Sequence, residues 1–342
     1  MTDVVKAPEV VAELPPPLVL SGAGWDVDPA AFPGLAISNA LLDDREALDA
    51  EWERRGYWYF KGVLDREALD TFRGHILNAL KPLDMVEEDG DLLRVSERAP
   101  AVFPDLMRSA LPVPELLHLP YWRAFLRDPK IEATFERILG AKPAWVPVAE
   151  TRAVPPGDDT GEVFGYPHQD GYYNEGYRCL TVWIPLWAAP RSAGGLAVAE
   201  GMHHQGFLHD PANGDPIPRS AIPEGTWRTS DYAPGDVVLF DRKLPHVGLR
   251  NRGEGLFRVS FDVRCNLPGD PPPVVGHVEA IDEVEIAVRT EEGALETYGL
   301  AEAKIRRRHL PPAELVRQFP VGSEVMLTVE NGLVQMIRAP KY

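Results

Sequence analysis

His168, Gln169 and Asp170, then His246 78 residues further on, then Arg258 and Ser260, are the residues whose types and spacing can do chemistry in this chain. Two imidazoles and a carboxylate on one side of a metal leave the opposite coordination positions open, the donor set of non-haem Fe(II) oxygenases. A His-x-Asp triplet is cheap by itself, so the local structure has to support it. In an extended strand, residues i and i+2 point to one face, so His168 and Asp170 can reach a single ion while Gln169 turns the other way. An arginine fork binds a carboxylate bidentately and a neighbouring hydroxyl adds a third hydrogen bond. Arg258 and Ser260 therefore suit the far carboxylate of 2-oxoglutarate.

The elements that must carry these side chains are legible around them. Pro234-Gly235-Asp236 reads as a turn, Val237-Val238-Leu239-Phe240 as a short buried strand, and Leu244-Pro245-His246-Val247 places His246 near a strand start. From Leu256 to Val263 the chain alternates strictly. Phe257, Val259, Phe261 and Val263 share one face, and Arg258, Ser260 and Asp262 the other. Asp43 to Arg55 and Asp65 to Leu80 read as helices packed outside the barrel. In the second, Asp65 can cap, and Leu69, Phe72, Ile76, Leu77 and Leu80 make an apolar stripe.

Several ordered stretches carry a resemblance. Gly56-Tyr57-Trp58-Tyr59-Phe60-Lys61-Gly62-Val63-Leu64, Pro167-His168-Gln169-Asp170-Gly171-Tyr172-Tyr173, Leu180-Thr181-Val182-Trp183-Ile184-Pro185-Leu186 and Gly194-Gly195-Leu196-Ala197-Val198 are the main ones. Gly201-Met202-His203 follows, with Met202 where Ser is usual, and Arg258 lies 12 residues past His246. From about residue 50 to 268 the chain resembles the phytanoyl-CoA hydroxylase-like (PhyH) group of Fe(II)/2-oxoglutarate-dependent dioxygenases.

The resemblance implies a β-rich α+β fold with a double-stranded β-helix (jelly-roll, cupin-like) core. His168, Asp170 and His246 would hold Fe(II), and Arg258 and Ser260 would take the 5-carboxylate of 2-oxoglutarate. O2 would be consumed as the keto acid is decarboxylated to succinate and CO2, with ascorbate as reductant in vitro. Hydroxylation of an unactivated C–H bond of a small-molecule metabolite is the usual outcome; desaturation, epimerisation and ring formation use the same metal ligands. Asp170 fills the position that halogenases leave open to halide. Thr181 and Trp183 share a strand face and are candidates for lining the cofactor cavity. Arg152, Tyr166, Gln169 and Tyr173 are candidates for meeting substrate, by proximity to the first metal motif. Two other classes fit the motifs less well. A non-catalytic jelly-roll binding protein would favour degenerate ligands, and a dioxygenase without a keto acid would have no use for Arg258.

Composition sets the limits. The 342 residues can bury a large core, and are divided here into a partly ordered leader at 1–40, a catalytic domain at 41–270 and a small β-rich appendage at 276–342. In the appendage Val284, Ile286 and Val288 alternate, and Asn331-Gly332 between two apolar runs is a hairpin signal. It is read as a packing or dimerisation module, which leaves a homodimer open. Pro82 to Pro120 and His209 to Trp227 are proline-rich, lack apolar periodicity and are expected to form an irregular cover over the site. A net charge of −17 repels phosphate backbones, so nucleic acid is excluded as a partner. No apolar run approaches the roughly 18 residues of a membrane span, and the acidic start lacks a signal-peptide pattern, so a cytoplasmic location is expected. Cys179 and Cys265 lack metal spacing and are expected to be reduced buried thiols. His203 and His204 are expected in turn or surface roles, His277-Val278-Glu279 as a chance copy of the ligand spacing, and Arg306-Arg307-Arg308-His309 as a solvated face.

Overall fold

The structure is a computed structural model that describes residues 20–21, 24–25, 28–99, 121–157, 166–174, 176–209, 217–305 and 308–340. Two antiparallel sheets make the catalytic core. The larger runs in the order Tyr57–Phe60, Val237–Phe240, Cys179–Pro185, Arg258–Asn266, Trp145–Val154. The smaller runs His246–Gly248, Leu196–Ala199, Trp227–Thr229. A bridge between His168 and His246 pins the first metal motif to the smaller sheet.

The period of two decides what each face touches. Val182, Ile184, Val237, Leu239, Val259, Phe261 and Val263 point outward into a core shared with the helices Arg66–Leu80 and Pro129–Leu139. Phe72 meets Phe261 edge to face at 5.2 Å. Asp65 caps the first of these helices by accepting from the Ala68 backbone N–H at 3.0 Å, as its sequence requires. The alternate residues Tyr57, Tyr59, Trp183, Val238 and Phe240 point inward, where Leu196 and Val198 of the smaller sheet meet them. This is the jelly-roll core of a β-rich α+β fold. The inward face of Arg258–Asn266 is wholly polar, and all nine residues of the strand are buried.

Within 1–40, Phe32 and Leu35 are buried. Phe32 stacks on Trp227 at 6.3 Å, and the Leu35 backbone N–H donates to Ser230 Oγ at 3.0 Å, so residues 28–40 form part of the barrel wall. The two segments expected to be irregular covers are also partly built in. Val86–Asp89 and Leu92–Val95 form a hairpin. It is held to the core through Phe257 N–H to Leu93 C=O at 2.8 Å and Val95 N–H to Gly255 C=O at 2.8 Å. Ile217, Ile222 and Trp227 are buried with Phe32 and Val247, so the described end of the second segment is a packed wall. The rest of those two predicted covers, 100–120 and 210–216, lies outside the described residues.

After Asp270 the chain builds a further, seven-stranded sheet; five of its strands are Val274–Ile281, Glu285–Thr290, Leu295–Gly299, Glu324–Glu330 and Leu333–Arg338. Gly299 pairs in parallel with Leu333, which closes these five strands on themselves. Ile286, Val288, Leu315, Val325, Leu327 and Ile337 fill the interior. The hairpin turn is Asn331-Gly332, with φ of 52° and 78°, the pair of positive values that a two-residue turn of this kind demands. Glu279 is on the surface, where it pairs with Arg289 at 2.6 Å, so the spacing copied by His277 and Glu279 makes no metal site. Among the described residues no helix is long and apolar enough to cross a membrane.

Candidate active site

The chain is extended through Gln169, then turns at once into a single helical turn, Asp170–Tyr173. Gly171 permits that turn. Its N–H donates to the Arg242 carbonyl at 2.8 Å, and a Cβ there would stand 2.9 Å from Arg242. His168 and Asp170 consequently face the same way, toward His246 at the start of its strand.

The three side chains converge. Asp170 Oδ1 lies 3.8 Å from His168 Nε2 and 3.8 Å from His246 Nε2, and one ligand atom from each residue lies within 4.8 Å of the others. Among the described residues this is the one cluster of three or more His, Cys, Asp or Glu side chains suited to a metal. The Nδ1 atoms of His168 and His246 sit 3.1 and 3.0 Å from the carbonyl oxygens of Tyr166 and Leu244. A carbonyl can only accept, so each Nδ1 carries the proton and each Nε2 presents a lone pair to the shared point. Burial, reinforced for His168 by its proximity to His246, holds both imidazoles below their usual range. They are therefore neutral donors at physiological pH.

Asp170 is restrained through its other oxygen. Oδ2 accepts from Thr181 Oγ1 at 2.5 Å and from Arg264 Nη2 at 2.7 Å, leaving Oδ1 toward the histidines. Burial alone would raise the carboxyl, but Arg264, then His246 and His168, hold it well below the usual carboxylate range. Arg264 also donates to Asp262, which accepts from Arg152 Nε at 3.0 Å, and Arg152 donates to Glu150. A buried chain of alternating charge thus runs from the metal ligand along the sheet.

Arg258 is the exception in this interior. It is 6% exposed, and Nη1 donates to Ser260 Oγ at 3.0 Å. No carboxylate pairs with it among the described residues, and its buried Nε has no hydrogen-bond partner. Burial, and then the charge of Arg152, push the guanidinium down to about 10. A buried cation without a counter-charge suits an anion that arrives from outside. The donor set of the triad and this orphaned guanidinium fit a divalent metal and a dicarboxylate keto acid.

The other candidates divide. The rings of Tyr166 and Tyr173 each lie 6.2 Å from the His168 imidazole, with their hydroxyls 3.5 Å apart. Trp183 is inside the barrel against Tyr232 at 4.8 Å. Gln169 points away and is fully buried, its Nε2 donating to Gly206 O and Lys243 O at 2.7 and 2.6 Å and its Oε1 accepting from Leu208 N. No polar group of that amide is left for a ligand, so Gln169 anchors the metal motif to two loops. Arg152 is committed to Asp262 and Glu150. Arg264 was not among the sequence candidates, although the alternation of Arg258, Ser260 and Asp262 continues to it two residues further on.

Residues 52–260 match the family described as "Phytanoyl-CoA dioxygenase (PhyH)". The chain is 32% identical over 257 residues to the 1-deoxypentalenic acid 11-beta-hydroxylase of Streptomyces arenae, covering 68% of this chain and 85% of that protein. The enzyme of the same name from Streptomyces exfoliatus is 31% identical over 248 residues, covering 66% and 82%. A solved structure of the epimerase SnoN in complex with Fe3+, alpha ketoglutarate and nogalamycin RO is a more distant likeness. Its identity is 18% and its TM-score 0.45, with 66% of this chain and 84% of that one covered. The matched span holds the converging His168, Asp170 and His246 and ends just past Arg258, and the chain belongs to the phytanoyl-CoA dioxygenase family of Fe(II)/2-oxoglutarate-dependent oxygenases.

Proposed function

We propose that the enzyme hydroxylates an unactivated C–H bond of a small-molecule metabolite while 2-oxoglutarate is decarboxylated to succinate and CO2. The observation that carries this reading is Arg258, a buried cation with no carboxylate beside it among the described residues, in the same barrel interior as three converging metal donors. When bound, Fe(II) and 2-oxoglutarate supply the means to activate O2 for attack on a C–H bond. His168 and His246 offer Nε2 lone pairs, fixed by their backbone-bound Nδ1–H groups. Asp170 offers Oδ1, because Thr181 and Arg264 occupy Oδ2. Arg258 and Ser260 receive the 5-carboxylate. Tyr166 and Tyr173 lie beside His168 and limit the approach of water and substrate on that side, with Trp183 closing the barrel interior.

The curated relatives are named for hydroxylating 1-deoxypentalenic acid, and a small carboxylic acid is the substrate class this supports first. The same reading places the enzyme in the cytoplasm. Burial pushes the thiols of Cys179 and Cys265 up to about 12, so both are inert there as free cysteines. A homodimer is the association state left open by the C-terminal strands, and sedimentation velocity tests it. The test of function is succinate formed on adding Fe(II), ascorbate, 2-oxoglutarate and O2, followed by mass analysis of a panel of small carboxylic acids that includes 1-deoxypentalenic acid. Gain of one oxygen supports hydroxylation; loss of two hydrogens would replace it by desaturation or ring formation, and an unchanged mass with inverted stereochemistry by epimerisation. No succinate from protein loaded with iron would favour a non-catalytic binding role.

A further inference from the structure

The C-terminal barrel lies outside the family match. We propose that it is a working part of the metal site: Arg338, acting through Asn174, is a positioning residue for Asp170. This rests on the reading of Asp170 as a metal ligand.

The turn Asp170–Tyr173 is one helical turn long and too short to hold itself in water. Asn174 ends it twice over. Its backbone N–H and its Nδ2 both donate to the Asp170 carbonyl, each at 3.0 Å. The Asp170 carbonyl can only accept, so the amide must turn Nδ2 to it, and Arg338 secures that orientation from the oxygen side. Arg338 has only donors, and Nη1 donates to Asn174 Oδ1 at 2.8 Å, so Nδ2 must face Asp170. Arg338 is the last residue of the strand Leu333–Arg338.

The following residues are gripped by the same barrel. Tyr177 OH donates to the Met326 carbonyl at 3.0 Å. At Gly176, with φ of +88°, a Cβ would stand 2.2 Å from Met336 Cγ, so the backbone runs directly against that strand. Met326 and Met336 are buried with Val146, Val148, Tyr177 and Cys179, which fuses the two units by an apolar contact. Asp170, which carries the carboxylate, is therefore followed closely in the chain by Asn174, Gly176 and Tyr177, each held against the C-terminal barrel.

The experiment titrates metal-free, full-length protein with Co(II) by calorimetry and melts each variant in the absence of metal. Arg338→Ala and Asn174→Ala should each bind Co(II) about tenfold more weakly, the low end for groups that orient a ligand from behind. The double variant should be no weaker than Asn174→Ala alone, since the two act in series. Arg338→Lys should recover most of the affinity. Arg289→Ala, which removes an exposed ion pair of the same barrel, is the control for general loosening and should bind as wild type. If Arg338→Ala melts far below that control, Arg338→Met, which keeps the packing of the stem, takes its place. Wild-type Co(II) affinity in the Arg338 variants, or losses that multiply in the double variant, would overturn the proposal. A wild-type protein that binds no Co(II) would instead overturn the reading of the triad.

Discussion

Arg258→Ala separates the keto-acid site from the metal site, because Arg258 touches Ser260 and not the triad. Its guanidinium is pushed from 12.5 to about 10, a difference worth about 3 kcal/mol against the charged form. The group stays charged at pH 7, and the penalty is present at every pH below about 10. Burial persists when ligand binds, but a bound 5-carboxylate supplies the counter-charge that offsets the penalty, so a loss on the order of 3 kcal/mol, or roughly 200-fold, in affinity for 2-oxoglutarate is expected of the alanine variant. Two calorimetric titrations read this: Co(II) into metal-free protein, expected unchanged, and 2-oxoglutarate into the Co(II) form, expected to weaken. The same argument fixes the sign of a second effect. Arg258→Met should raise the melting temperature of the ligand-free protein, since a buried cation without a counter-charge is removed. Binding of 2-oxoglutarate to Arg258→Ala within about threefold of wild type would refute this reasoning, because that is far less than any buried charge pair should cost.

His168→Ala, Asp170→Ala and His246→Ala should each abolish succinate formation and Co(II) binding while the far-ultraviolet circular dichroism stays native. Wild-type turnover in any one of them removes that residue from the triad. Arg264→Met strips Asp262 and Asp170 of a shared buried partner and should cost about 3 kcal/mol in urea unfolding; a loss below about 1 kcal/mol would show that the chain of charges is dispensable. Glu200, whose carboxylate accepts from Tyr57 OH at 2.7 Å and pairs with Arg55 and Arg228, is lowered despite the opposing effect of burial. A lowered carboxyl stabilises the fold above its unfolded value and loses that contribution as pH falls through the folded one. Glu200→Gln should therefore be destabilised at pH 7, by no more than about 1 kcal/mol once solvent screening is allowed for, with the gap to wild type closing as pH falls through the lowered carboxyl; a gap that persists in strong acid would assign the effect to packing.

The parts of the fold visible in the sequence are those where a local rule decides the outcome. Strict alternation from Leu256 to Val263 separates a helix-facing row from a polar inward row, and both rows are present as read. The same rule extends to Arg264, whose partner Asp170 is 94 residues away in sequence. Gln169 shows the complementary limit. Alternation turns it away from the metal, but only the folded chain brings Gly206, Leu208 and Lys243 around its amide. The hairpin at 86–95 was hidden because Glu87-Glu88-Asp89 faces solvent along one strand, and its hold on the core is a backbone bond from Phe257 that leaves no mark on side-chain pattern. Closure of the C-terminal strands through Gly299 and Leu333, and their grip on 174–177, are likewise long-range backbone and packing events.

The most direct test of the account is an anaerobic titration of the Fe(II)-loaded protein with 2-oxoglutarate, following the visible charge-transfer absorption of a keto acid chelated to ferrous iron. The account predicts a band that saturates at one equivalent in the wild type, is missing in Asp170→Ala, and in Arg258→Ala reaches the same intensity only at roughly 200-fold higher 2-oxoglutarate. A wild-type protein that holds iron yet develops no band at saturating 2-oxoglutarate would contradict it.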